Sequence, residues 1–259
     1  QIVYYVYAYA KLVENGEIEN GEVINVTVPT GNFGNILAAY LAKQMGVPIG
    51  RLICASNENK VLYDFFSTGT YDRKRPFILT SSPSMDILIS SNLERLIYLS
   101  CGCDAEKTAE LMGELSSDGK YTVTEDMRKF MSDFWGGYAG EEENAAVIRS
   151  VFQSCGYLMD THTGVAAAVS RQYKEKTGDE RKMLIASTAS PFKFAGSVLK
   201  AVNGTGEGMD EFAVVDELSR VSGVPVPAAV EEIRTAPVRH TRECGPENME
   251  ETVAEILGC

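Results

Sequence analysis

The segment from residue 26 to residue 40 constrains this chain more than any other part of its sequence. A β-branched run ends at Pro29, a Gly-x-x-Gly turn follows at residues 31–34, and an apolar-periodic stretch then predicts a helix to about Gln44. A strand that delivers a glycine turn to a helix start gathers free backbone N–H groups at the positive end of the helix dipole. The pattern predicts either an anion site or a joint whose glycines only relieve backbone strain.

Strand and helix patterns alternate along the rest of the chain. Strands are predicted over residues 23–29, 51–56 and 183–187. Helices are predicted over residues 35–44, 61–68, 92–99, 105–115, 125–131, 142–153, 165–176 and 192–202. Strands joined by helices form βαβ units, so the expected fold class is α/β, with a doubly wound, mostly parallel sheet between helical layers. We interpret Gly136, Gly137 and Gly140 as a break between helices.

The 259 residues allow one large domain or two ordinary ones. We assign residues 1–204 to the sheet domain and residues 205–259 to a helical tail packed on it, with residues 203–208 as the linker. The chain opens at Gln1 within an apolar and aromatic stretch that no capping residue precedes. We therefore expect that it is cut from a longer protein and that its first helix promotes self-association.

Composition excludes several classes of function. A net charge of −12 argues against a nucleic-acid groove, which needs clustered Lys and Arg. No window approaches the ~18–20 uninterrupted apolar residues of a membrane span, and no signal peptide is visible. The six cysteines lack Cys-x-x-Cys pairing or nearby histidines, so we expect reduced thiols, no metal site and a cytoplasmic protein.

Other segments carry hydroxyl or imidazole groups. The turn at residues 31–35 lacks both the Rossmann and the Walker A patterns, so a small anchored phosphate fits better than a dinucleotide or a nucleoside triphosphate. Residues 187–191 follow a strand, and their hydroxyls predict either a ligand contact or a helix cap. We interpret His162 as part of a helix start. The hydroxyl-rich stretches 81–86 and 90–92 fit equally a loop near a ligand and a pair of helix caps.

Several of these segments, taken in chain order, resemble threonine synthase, a fold-type II enzyme that depends on pyridoxal 5′-phosphate. The segments are residues 28–35, 49–59, 82–87, 90–96, 160–166 and 187–194. The hydroxyl-rich part of this set separates threonine synthase from other fold-type II enzymes. The resemblance implies a three-layer, tryptophan synthase β-like fold, truncated at its N-terminus.

The resemblance also implies a reaction and a set of binding residues. The family converts O-phospho-L-homoserine and water into L-threonine and phosphate. The backbone N–H groups that would hold the cofactor's phosphate are those of Gly31, Asn32, Phe33, Gly34 and Asn35. Thr188 would hydrogen-bond the pyridine nitrogen, and a neutral hydroxyl there leaves that nitrogen unprotonated.

The sequence departs from the family pattern at two positions and lacks one motif. Asn35 stands where Asp is common, which should matter little if the contacts are made by the backbone, and Ser190 stands where many relatives carry His. No Ser-Phe-Lys-Asp-like motif, which supplies the family's Schiff-base lysine, is present, and Lys193 belongs to a different pattern. We therefore expect no catalytic residue in this chain, with that lysine lying upstream in the full-length enzyme, and no activity of the chain alone.

Two alternatives stay open at this point. The first is another fold-type II β-replacing or eliminating enzyme, such as a threonine dehydratase or a cysteine synthase relative. The second is a non-catalytic domain that binds phosphate or pyridoxal 5′-phosphate.

Overall fold

The computed structural model describes residues 1–259, which divide into two compact units, Gln1–Val224 and Pro225–Cys259. The first unit contains a parallel sheet whose strands lie in the order β5-β2-β1-β6. These strands are β1 (Ile24–Pro29), β2 (Ile49–Ser56), β5 (Phe134–Tyr138) and β6 (Met183–Ile185). A separate antiparallel pair joins β3 (Thr70–Asp72) to β4 (Lys120–Thr122).

Helices make up most of the remaining structure. In the first unit they are α1 (Ile2–Glu14), α2 (Gly34–Gln44), α3 (Val61–Thr68), α4 (Leu93–Ser100), α5 (Ala105–Asp118), α6 (Glu125–Phe130), α7 (Glu141–Cys155), α8 (Thr161–Thr177), α9 (Ala195–Asn203) and α10 (Glu211–Ser222). In the second unit they are α11 (Ala228–Thr235) and α12 (Met249–Leu257). None of these helices has the length and apolar character required to cross a bilayer. The predicted helices before residue 204 are confirmed, with ends that shift by a few residues.

Strand β1 is buried along its whole length because helices cover both faces of the sheet. Val26 and Val28 belong to the same apolar cluster as Ile36 of α2. Thr27, between them, points to the other face, where its Oγ1 accepts a hydrogen bond of 2.8 Å from Ser170 of α8. Successive strand side chains alternate, so α2 and α8 lie on opposite faces. The predicted three-layer, doubly wound α/β arrangement is confirmed.

The interpretation of Gly136 and Gly137 as a chain break is wrong. Both lie in β5, which pairs with β2 through the registers Cys54–Gly136 and Ala55–Gly137. A Cβ on Gly137 would lie 2.6 Å from Cγ1 of Val169. Because these two residues have no side chain, helices can pack closely on the strand. This close packing outweighs the low strand propensity of glycine.

Helix α10 packs on α9 and belongs to the first unit, although its sequence position suggested the tail. The first unit ends at Val224, well beyond the predicted linker at residues 203–208. The assignment of residues 205–259 to a tail on the same domain of a larger protein stays a prediction.

Candidate functional site

The glycine turn connects β1 to α2 at the carboxyl edge of the sheet. Phe33 ends the turn in the left-handed region, with φ of 66°, and is followed directly by the first residue of α2. A bulky residue with positive φ is a conformational outlier, which costs about 1–3 kcal/mol of conformational free energy. Aromatic packing holds it there, because its buried ring lies 5.5 Å from the ring of Phe134 and 5.9 Å from that of Phe66.

The carbonyl groups of the turn face the hydroxyl-rich segment. Ser90 Oγ donates to the carbonyl oxygen of Gly31 at 2.6 Å. The carbonyl oxygen of Asn32 accepts from the backbone N–H of Asn92 at 3.1 Å and from its Nδ2 at 3.0 Å. In a trans peptide the C=O of one residue and the N–H of the next point in opposite directions. The N–H groups of Asn32 and Phe33 therefore point away from residues 90–92.

These N–H groups have no partner in the chain. None of the backbone N–H groups from Gly31 to Ile36 donates a hydrogen bond, and no side chain caps the start of α2. By contrast, the carboxylates of Asp160 and Asp210 cap α8 and α10. A helix start whose donors are left free by its own sequence is suited to bind an anion. The structure therefore leaves free the donors that an anion site requires, and the anion site itself stays a prediction.

Gly31 lies too close to a neighbouring backbone to carry a side chain without movement. A Cβ there would approach the carbonyl oxygen of Ser84 to 3.0 Å and Cα of Met85 to 3.1 Å. The cavity on this side of the turn has a volume of about 10 Å³ and is bordered by Ser56, Met85 and Ile87. That volume suits at most a single water molecule, so a phosphate group has no room here.

A larger cavity, of about 410 Å³, lies at the start of α2 and the end of β6. Its lining includes Tyr5, Asn35, Ser187 and Thr188. The structure thus brings the predicted Thr188 to the same cavity as the last residue of the predicted phosphate loop. These two segments are separated by more than half of the chain, and they meet because β6 pairs with β1.

Thr188 and Ser190 have different roles, although they stand two residues apart. Ser190 Oγ accepts from the N–H of Phe192 at 3.3 Å and caps the 3₁₀ turn Pro191–Phe194, which is the capping alternative predicted for this segment. Thr188 is exposed, and its hydroxyl makes no hydrogen bond in the chain. A free hydroxyl at the cavity wall is suited to meet a polar atom of a bound ring.

A partly buried polar network holds residues 80–86 in place. Asn57 Nδ2 donates to Oδ1 of Asp86 at 2.7 Å, and Asn59 Nδ2 donates to the same oxygen at 3.0 Å. Thr80 adds a hydroxyl donor at 2.7 Å and a backbone donor at 2.9 Å to this carboxylate. The network fixes the backbone of Ser84 against Gly31, so this segment supports the turn. Sequence reasoning left its role open because its partners are distant in the chain.

His162 is a structural residue of the α8 start, as predicted from its sequence context. Its Nε2 accepts from the backbone N–H of Ser84 at 3.2 Å, so Nδ1 carries the proton and donates to Asp160 at 2.9 Å. Burial acts to raise the pKa of Asp160, but hydrogen bonds from His162 and Thr163 outweigh it and lower that pKa. Both imidazole nitrogens are occupied, which leaves His162 no free position for proton transfer.

The cysteines of the chain are free thiols, and its potential metal ligands lie apart from one another. All six cysteines are free. Burial raises the pKa of the Cys54 thiol to about 12, although a hydrogen bond with Thr30 opposes the shift. No group of three or more His, Cys, Asp or Glu side chains lies together as a metal site would require.

Tyr5 is a site residue that sequence reasoning missed. Its buried phenol on α1 donates to Oδ1 of Asn35 at 2.6 Å and borders the larger cavity. The aromatic run around it predicts a buried helix face but not this partner thirty residues away. Only the packing of α1 on α2 shows the pair.

Three features of this structure are typical of the fold-type II pyridoxal-phosphate class. They are the parallel sheet between two helical layers, the uncapped glycine turn and the free hydroxyl after the neighbouring strand. Comparison with solved structures gives the same class. Threonine synthase from yeast superimposes with a TM-score of 0.83 at 29% identity, over 99% of this chain and 51% of that one. Pyridoxal-phosphate-bound threonine synthase from Brucella melitensis gives 0.72 at 36% identity, over 86% of this chain and 48% of that one.

Sequence comparisons name the family. The family model "Threonine synthase, C-terminal" matches residues 163–241. Threonine synthase of Corynebacterium glutamicum is 35% identical over 232 residues, which is 87% of this chain and 47% of that protein. Human threonine synthase-like 1 is 44% identical over 204 residues, 78% of this chain and 27% of that protein. The chain belongs to the threonine synthase family and spans half or less of the length of these relatives.

Proposed function

We propose that this chain provides the part of a threonine synthase that holds the phosphate and the ring nitrogen of pyridoxal 5′-phosphate. The reaction proposed for the whole protein is the conversion of O-phospho-L-homoserine and water into L-threonine and phosphate. The observation that carries the proposal is the arrangement of the turn: the N–H groups of residues 31–36 are free, and Asn35 shares a cavity with the free hydroxyl of Thr188.

The residues present fit this cofactor. The N–H groups of Gly31, Asn32, Phe33, Gly34 and Asn35 would donate to the phosphate oxygens, and the α2 dipole would add to their attraction. Thr188 would meet the pyridine nitrogen with a neutral hydroxyl, which would leave that nitrogen unprotonated and moderate the electron-accepting chemistry that the cofactor supplies when bound. The polar network around Asp86 holds the backbone of Ser84 behind Gly31, on the side of the turn opposite to the proposed site.

The proposal places the Schiff-base lysine outside these 259 residues. Lys193 does not substitute for it, because it lies within the 3₁₀ turn capped by Ser190, with its Nζ 5.3 Å from the centre of the Phe194 ring, and does not line the cavity that reaches Thr188. His162 does not supply a base, because both ring nitrogens are hydrogen-bonded. The chain by itself therefore binds and orients the cofactor without catalysing the reaction. A cytoplasmic location of the protein stays a prediction.

The test uses pyridoxine 5′-phosphate, which lacks the aldehyde and so forms no Schiff base with surface lysines. Calorimetric titration should show that the chain binds this compound more tightly than pyridoxine, because only the former carries the phosphate. Thr188→Val should lower the affinity for both compounds by the same factor, about 2- to 10-fold, since a neutral hydrogen bond contributes about 0.5–1.5 kcal/mol. Thr188→Ser keeps the hydroxyl and should bind like the unchanged chain.

Two results would contradict the proposal. Equal affinity for pyridoxine 5′-phosphate and pyridoxine would remove the phosphate site. Release of phosphate from O-phospho-L-homoserine by this chain alone would contradict the assignment of the Schiff-base lysine to another segment. On a protein that includes that segment, comparison of O-phospho-L-homoserine with threonine and O-acetylserine tests the other fold-type II activities.

A second function is favoured by the similarity to threonine synthase-like 1, which is 43–44% identical in primates. In this alternative the chain binds phosphate or pyridoxal 5′-phosphate without any synthase reaction. It predicts the same binding by the turn, and it is distinguished by the absence of L-threonine formation when a lysine-bearing segment is present.

The outer face of α1 supports a separate proposal of self-association. Val3, Tyr4 and Tyr7 expose 65%, 63% and 62% of their surface. Light scattering should show a mass that rises with concentration, because neighbouring copies bury this apolar face. Val3→Glu and Tyr7→Glu should restore the monomer, whereas Leu79→Glu, on a loop residue that is 83% exposed, should not. A monomer of the unchanged chain at every concentration would contradict this proposal.

A further inference from the structure

The pair formed by Tyr5 and Asn35 joins α1 to the proposed phosphate site. The phenol oxygen of Tyr5 donates to Oδ1 of Asn35 at 2.6 Å. Asn35 is the second residue of α2, and both side chains border the cavity that also reaches Thr188. The inference drawn from this pair rests on the proposed cofactor site and concerns how that site recognises a phosphate.

The hydrogen bond determines which way the carboxamide of Asn35 faces. An asparagine side chain has an acceptor oxygen and a donor nitrogen on opposite sides of one carbon. Because Tyr5 occupies the oxygen, the nitrogen is directed to the other side, and no group of the chain accepts from it. Burial raises the pKa of Tyr5, so the phenol keeps the proton that it donates.

We propose that the amide nitrogen of Asn35 is a further donor to the phosphate held at the start of α2, and that Tyr5 is the positioning residue that keeps this nitrogen facing the anion. An acid at residue 35, as is common in the family, would accept the same bond from Tyr5 but would leave the phosphate to the backbone N–H groups alone. The asparagine thus adds a side-chain donor to a site otherwise formed by backbone groups.

The experiment compares pyridoxine 5′-phosphate with pyridoxine in each variant. The ratio of their dissociation constants reports the phosphate contact, because a loss of folded protein affects both ligands equally. Tyr5→Phe removes only one oxygen and should lower the ratio roughly 3- to 10-fold, which is the size of one hydrogen bond. Asn35→Ala removes the donor itself and should lower the ratio by a similar factor.

The control is Tyr9→Phe on the same helix. The Tyr9 hydroxyl donates to the carbonyl oxygen of Glu22 at 2.9 Å and accepts from the N–H of Gly21 at 3.0 Å, away from the turn. This variant also loses the hydrogen-bonded hydroxyl of a buried tyrosine, yet its ratio should equal that of the unchanged chain. In an Asn35→Ala background Tyr5→Phe should have no additional effect, because the group that Tyr5 positions is gone.

The outcomes separate this inference from the proposed function. A ratio that is unchanged in both Tyr5→Phe and Asn35→Ala would overturn the inference and leave the proposed function standing. An equal fall of the ratio in Tyr5→Phe and Tyr9→Phe would also overturn it. A lack of phosphate preference in the unchanged chain would overturn the proposed function and, with it, this inference.

Discussion

Gly31→Ala is expected to weaken pyridoxine 5′-phosphate binding by at least about tenfold and to lower the free energy of unfolding by about 1–3 kcal/mol. The new Cβ would lie 3.0 Å from the carbonyl oxygen of Ser84 and 3.1 Å from Cα of Met85. Both atoms belong to a backbone that the Asp86 network holds in place, so the turn must move instead. Its N–H groups then no longer converge on one point, which is why the binding loss accompanies the loss of stability.

The measurements are calorimetric titration and urea unfolding, with Gly113→Ala as the control. Gly113 lies in the interior of α5, and a Cβ at this position would meet no heavy atom within 4 Å. Alanine there should therefore stabilise the protein by up to about 1 kcal/mol. Binding by this control should equal that of the unchanged chain. If Gly31→Ala bound normally, the close approach of the two backbones would not be what shapes the turn.

Local patterns predicted the strand, the turn and the start of α2 because each depends on residues adjacent in sequence. The Pro29 boundary, the glycine spacing and the apolar period all lie within about twenty residues. The same local reasoning failed at β5. Gly136 and Gly137 are poor strand formers, and they are required by Tyr63 and Val169, which lie above and below them and are far away in the chain.

The same limit of local reasoning applies to the candidate site. The residues of the turn and Thr188 were identified by their likeness to a family, but the groups that orient them were not. Ser90 reaches Gly31 across 59 positions and Tyr5 reaches Asn35 across 30. No spacing rule connects such pairs, because the packing of helices and loops brings them together. Thr188 and Ser190 illustrate this limit of sequence patterns. Their hydroxyls are chemically similar and two positions apart, but Ser190 caps a turn and Thr188 lines the cavity because their surroundings differ.

Asp160→Ala is expected to lower the free energy of unfolding by about 3–5 kcal/mol, the largest effect of any single substitution discussed for this chain. The carboxylate is fully buried and accepts from the backbone N–H of His162 at 2.8 Å, from its Nδ1 at 2.9 Å, and from the N–H and the hydroxyl of Thr163. Removing it leaves several buried donors without a partner and frees the imidazole that holds Ser84. The substitution should therefore also weaken phosphate binding, through Ser84 and the adjacent Gly31.

Asp210→Ala is the matched control, because Asp210 caps α10 in the same way but is exposed. Its loss should lower the free energy of unfolding by only about 1 kcal/mol, the ordinary value of a helix cap. Urea unfolding of the two variants then separates the capping contribution from that of the buried network. Equal losses for the two caps would show that the contacts of Asp160 with His162 and Thr163 contribute no stability beyond an ordinary cap.

The pH dependence of stability tests the contribution of Asp160 to the free energy of unfolding. Its pKa in the folded chain lies below the unfolded value of about 3.9, so the contribution is fully present above that value and is lost as pH falls through the folded pKa. Asp160→Asn does not titrate, so the stability difference between it and the unchanged chain should be constant above about pH 5 and shrink below about pH 4. Other carboxyl groups cancel in this difference because both proteins carry them. A difference that stayed constant through this range would show that the network does not favour the charged form of Asp160.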